Sequence, residues 1–218
     1  SPYTMHYSYV KEALLAKKHV LCETPMAMTK EAACELFALA EERDVILMEG
    51  IKTAYCPGFQ RLVSCAKSGR IGQIISVDTT VTRLAPEKLC ESAVGDRGGS
   101  MTELAAYPLL AILKLLGYSF QDIHFTTYSQ EVDLFSRIDF WYQGAVATAK
   151  VGLGVRGEES LVISGTRGHI YVPAPWWKTE YFELRYESPE DVEKHFYKFL
   201  GDGLRYEIVE FLDWISEK

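Results

Sequence analysis

A short apolar stretch, His19-Val20-Leu21-Cys22, runs straight into Glu23-Thr24-Pro25. It reads as a buried strand that ends in a carboxylate, a hydroxyl and a proline. In α/β proteins ligands bind at the carboxyl ends of strands. Glu23 can therefore contact a ribose or orient a neighbour, and it can equally cap the turn that follows. Glu103 and Tyr107 form a second pair. At a spacing of four they fall on one face of a predicted helix. A phenol beside a cation can move a proton to or from a hydroxyl or carbonyl group, and Tyr107 can equally pack against a sheet. Trp176-Trp177, after Pro173-Ala174-Pro175, present two indoles that can stack on a sugar ring or cover a sheet edge.

Other chemistry is excluded or left without support. The five cysteines, Cys22, Cys34, Cys56, Cys65 and Cys90, form no CxxC pair, which fits reduced thiols in a cytoplasmic protein. His6, His19, His124, His169 and His195 are scattered, with no ligand spacing, so no metal site is expected. The net charge of −7 and the absence of a basic run argue against nucleic acid. The longest apolar run, near residues 104–116, is broken by Lys114 and falls short of the ~20 residues of a membrane span.

The elements that would position these residues follow from periodicity. Residues 5–17 read as a helix, 19–22 as a strand, a helix capped by Thr29 runs to Arg43, and 45–48 form a second strand. Helix–strand–helix–strand is the latter part of a doubly wound parallel sheet. After Gly50 the pattern changes. Pro57 opens a helix to Lys67, and residues 73–83 alternate as a strand with Ile75, Val77, Thr79 and Val81 on one face. Residues 85–99, with Gly95, Gly98 and Gly99, predict a mobile loop. Ser100 caps a helix to Leu116. Strands are then expected at 122–129, 136–142, 145–152, 160–164, 169–172, 180–186 and 194–199, and a last helix at Leu204–Ile215. The fold class is thus α/β (α+β): part of a Rossmann domain at 1–52, then at 53–218 an α/β domain whose open, mostly antiparallel sheet is covered by helices on one face.

Several motifs occur in a telling order. They are Ser1-Pro2-Tyr3-Thr4-Met5-His6, Ala13-Leu14 through Pro25, Ser68-Gly69-Arg70-Ile71-Gly72, and Gly98-Gly99-Ser100 through Tyr107. Together they resemble the glucose–fructose oxidoreductase/inositol dehydrogenase family (Gfo/Idh/MocA), whose signature reads KHVLCEKP. Leu47-Met48-Glu49-Gly50 through Pro57 is most similar to its dihydrodiol dehydrogenase branch.

The resemblance implies an NAD- or NADP-dependent oxidoreductase acting on a hydroxyl or carbonyl of a sugar, polyol or related small molecule. It implies that Pro2, His6, Glu23, Thr24 and Pro25 border the nicotinamide, with a cis bond before Pro25. Tyr107 would act as acid/base supported by Glu103, and Trp176 and Trp177 would line the substrate side. It also implies a homo-oligomer formed through the open sheet. The chain departs from the family at two points. Thr24 replaces the signature lysine, leaving Lys52 or Lys30 as distant substitutes. No GxGxxG turn is present, so weak or no binding of the nucleotide is expected for this chain. The alternative is a catalytically degenerate binding or assembly module of the same fold. The strands at 19–22 and 45–48 would leave an unpaired edge, which a second copy or an upstream segment would cover.

Overall fold

The computed structural model describes residues 1–84 and 98–218. Most of the expected mobile loop, and Cys90 with it, lie outside the described residues. The rest forms two compact units, Ser1–Tyr55 with Leu200–Lys218, and Cys56–Phe199. The last helix groups with the first unit.

In the first unit, helix α1 (His6–Leu15) leads to strand β1 (Val20–Glu23), helix α2 (Lys30–Arg43) and strand β2 (Leu47–Gly50). The strands pair in parallel, with Glu23 opposite Gly50. Val10 and Leu14 of α1, Leu36 and Ala40 of α2, and Cys22, Met26, Val45 and Leu47 make the core. The Thr29 side chain accepts a hydrogen bond from Ala32 N, as expected of an N-cap. Asp44 ends α2 in the left-handed conformation. A 3-10 turn (Lys52–Tyr55) follows β2, and helix α6 (Leu204–Ser216) completes the unit.

The second unit opens with helix α3 (Pro57–Lys67) and strand β3 (Ile74–Arg83). Helices α4 (Ser100–Leu104) and α5 (Ala106–Leu116) follow, then strands β4 (Asp122–Ser129), β5 (Asp133–Tyr142), β6 (Ala145–Leu153), β7 (Leu161–Gly165), β8 (His169–Val172), β9 (Tyr181–Arg185) and β10 (Val192–Phe196). The sheet order is β10-β9-β8-β7-β3-β6-β5-β4. Only β3 and β6 run parallel.

Register explains the core. Phe140, Ala147, Val77, Ile163, Ile170 and Leu184 stand opposite one another from strand to strand, all buried. Helix α5 packs on β3 and β6, and α4 on β5 and β6. The same register puts Arg137, Asp139, Trp141, Val146 and Lys150 on the other face.

Two expectations needed correction. Ile75 is 40% exposed rather than in line with Val77, because the pairing register slips between Ile74 and Ser76. The helix expected from Ser100 to Leu116 divides at Ala105. Pro108 has no N–H to give to the Leu104 carbonyl, so the ladder breaks there while Ala105 keeps helical dihedrals.

Candidate active site

The end of β1 is pinned from both sides. The Thr24–Pro25 bond is cis, as the resemblance implied. Buried His6, at the start of α1, places Nδ1 2.9 Å from the Pro25 carbonyl oxygen and Nε2 3.2 Å from that of Ser1. From β2, Glu49 Oε1 accepts the Met26 N–H at 2.9 Å. Pro2 supplies the carbonyl that Met5 N binds at 2.9 Å, closing the 3-10 turn (Tyr3–Met5) that leads into His6. These bonds bring together Pro2, His6, Glu23, Thr24 and Pro25, which are far apart in sequence.

A cleft of about 430 Å³ reaches this point, lined by residues that include Tyr3, His6, Tyr9, Cys22, Glu23 and Thr24. It runs along β1, which pairs with β2 alone among the described residues, and its lining includes Glu23 and Thr24, a carboxylate and a hydroxyl that can bond hydroxyl groups. The cleft has no glycine-rich turn to cradle a pyrophosphate. Burial, reinforced by Glu49 and Glu23, pushes the Cys22 thiol up to about 11, so it is not a thiolate at neutral pH.

Sequence reasoning missed Glu207. It is 2% exposed, on α6, and a Cβ on Gly50 would stand 3.3 Å from its Oε2. That oxygen has no hydrogen-bond partner among the described residues. Burial, with the Glu23 carboxylate reinforcing and Lys52 opposing, pushes its carboxyl up to about 7. The signal was legible in principle. Glu207 precedes Phe211 by four and Trp214 by seven, so an acid sits on the inward stripe of an amphipathic helix. Of the two lysines considered as substitutes for the motif lysine, Lys30 is exposed, and Lys52 is half-buried within electrostatic reach of Glu207.

In the second unit, the break at Ala105 places Glu103 on α4 and Tyr107 on α5, rather than on one uninterrupted helix. Glu103 Oε2 lies 3.5 Å from Arg83 Nη2, a long and partly exposed contact. Asp133 supports this segment. It accepts Ser100 Oγ at 2.5 Å and Met101 N at 2.8 Å, and a Cβ on Gly99 would overlap its carboxylate. Trp176 does not form an exposed platform. It is wholly buried and its indole N–H donates to Thr80 O at 3.0 Å. Trp177 is half-buried, edge-on to Trp176. Among the described residues no three His, Cys, Asp or Glu side chains gather as metal ligands, and no helix is long and apolar enough to cross a membrane.

The element order and the sheets define an α/β protein. Residues 1–51 match the family described as "Oxidoreductase family, NAD-binding Rossmann fold", GFO_IDH_MocA. A dTDP-3,4-didehydro-2,6-dideoxy-alpha-D-glucose 3-reductase of Streptomyces antibioticus is 32% identical over 124 residues, 56% of this chain and 37% of that protein. A trans-1,2-dihydrobenzene-1,2-diol dehydrogenase of Danio rerio is 27% identical over 80% of this chain and 54% of its own length. The chain thus spans well under two thirds of these relatives.

Among solved structures, a 3-ketoreductase of Actinomadura kijaniata with TDP-benzene and NADP superposes with a TM-score of 0.81 at 20% identity, covering 100% of this chain and 68% of its own. An inositol dehydrogenase homolog of Azotobacter vinelandii with NADH and myo-inositol gives 0.79 at 17% identity, covering 94% and 57%. Over residues 1–51 the chain is similar to the Gfo/Idh/MocA oxidoreductase family, and the relatives above extend that similarity beyond them.

Proposed function

We propose that this chain is part of an NAD(P)-dependent oxidoreductase acting on a hydroxyl or carbonyl carbon of a sugar, polyol or related small molecule. The observation that carries the reading is the strand-end turn Glu23-Thr24-Pro25, cis at Pro25 and tied to His6, within the stretch that matches the family. A bound nicotinamide supplies or accepts the hydride. Glu23 would hold ribose hydroxyls, and His6 would keep the turn in place through the Pro25 carbonyl. Tyr107 would give or take the hydroxyl proton, with Glu103 as its polar support. Trp177 would border the substrate.

Thr24 carries no charge where the motif has lysine. Losing one such group typically lowers a rate by on the order of 10²–10⁴. That substitution favours a second reading, a catalytically degenerate binding or assembly module. The sheet face bearing Arg137, Asp139, Trp141 and Val146 would serve as a homo-oligomer surface in either case, in a cytoplasmic setting.

Fluorescence titration of the chain with NADH and NADPH tests the first reading. Saturable binding supports it. No binding at millimolar nucleotide turns the reading toward assembly.

A further inference from the structure

Helix α6 has thirteen residues, and its one wholly buried side chain is an acid, Glu207. Its apolar residues Leu204, Ile208, Val209 and Leu212 are 43–57% exposed. Three contacts bear on how the helix sits in the first unit. Trp214 meets Tyr55 edge-on at 6.5 Å, Lys218 pairs with Asp44 at 2.8 Å, and Glu207 seats over Gly50. Gly50 ends β2, opposite Glu23 at the end of β1. With half-buried Tyr206, Phe211 and Ile215 as its other inward side chains, the charge on the one buried carboxyl weighs on how the helix seats.

We propose that Glu207 is a proton-operated latch. Uncharged, it lets α6 seat on Gly50 at the carboxyl edge of the strand pair, and ionised, it releases the helix. A buried carboxylate needs hydrogen-bond partners, and Glu207 Oε2 has none among the described residues. The groups gathered around Glu207 and Tyr55 are Glu23 on β1, Glu49 on β2, Lys52 on the 3-10 turn and Glu210 on α6 itself. At Glu207 itself burial raises the carboxyl most, the Glu23 carboxylate adds to it and the Lys52 ammonium opposes. The Tyr55 phenol, raised first by burial and then by Glu210, Glu207 and Glu49, stays neutral.

The sign follows from linkage. The docked carboxyl keeps its proton up to about 7, against an ordinary value of 4.5. Docking is therefore fully favoured below the ordinary value and is lost as pH rises through about 7. The latch acts on the edge that carries the family signature, and it does not depend on nucleotide binding.

Hydrogen exchange of residues 204–216 in the whole chain, corrected for intrinsic rates, tests this between pH 5 and 9. Protection should fall by about tenfold per pH unit between roughly 5 and 7, then level off. In Glu207→Gln it should stay flat. A flat wild-type profile, or the same fall in the Gln variant, overturns the proposal. Should Glu207→Gln not fold, Lys52→Met serves instead. Removing the ammonium must move the midpoint upward, and an unmoved midpoint overturns the latch.

Discussion

The two units bury their residues on different terms. In Cys56–Phe199, a sheet of eight strands gives each interior strand two neighbours, and one face carries an unbroken row of apolar side chains from Phe140 to Leu184. In the first unit, among the described residues, two strands have only each other, the core cluster has eight residues, and a carboxyl whose Oε2 has no hydrogen-bond partner is buried beside the strand ends. The larger unit is thus built around a continuous apolar sheet face. The smaller holds the strand-end turn and its titrating neighbour. Buried charge thus sits beside the turn that carries the family signature.

Function should respond most to a change in the smaller unit. Thr24→Lys should raise NADPH-dependent reduction of a panel of keto-sugars by on the order of 10²–10⁴, followed as loss of NADPH. An unchanged rate would favour the assembly reading. Stability should respond most to a change in the larger unit. Trp176→Ala removes a wholly buried indole and its bond to Thr80, and should cost about 3–5 kcal/mol in urea unfolding. Asp133→Ala strips Ser100 Oγ and Met101 N of their acceptor and should cost about 1–3 kcal/mol by the same assay. A value near zero would mean water replaces it without loss.

Back in the smaller unit, Thr29→Ala should cost only about 1 kcal/mol, read as a lower thermal midpoint. Iodoacetamide should label exposed Cys34 in the native protein, and buried Cys22, Cys56 and Cys65 only after unfolding. Early labelling of Cys22 would mean that the first unit opens more readily than its packing implies.

Local signals in the sequence read well because they act locally. The Thr29 cap, Pro57 at the start of α3 and the turn at Gly144, with φ of 87°, each fix one element, and the elements formed where expected. Signals that depend on distant partners did not read. The bulge at Ile75 arises from pairing with β7, and the parallel match of β3 to β6 from chain return. Pro108 was a legible helix breaker that the reading of one helix from Ser100 to Leu116 did not take into account. The strand-end turn was legible as a motif, yet its anchors, His6 on Pro25 and Glu49 on Met26, were visible only in three dimensions. Glu207 was hidden because an acid on a terminal helix ordinarily faces water.

The central claim is that the turn at Glu23–Pro25 reads the nicotinamide end of a dinucleotide. Amide NMR of the chain titrated with NADH tests it most directly. The account predicts saturable shifts at His6, Glu23, Thr24 and Met26. Saturable shifts confined to the second unit, or none at millimolar NADH, would contradict it.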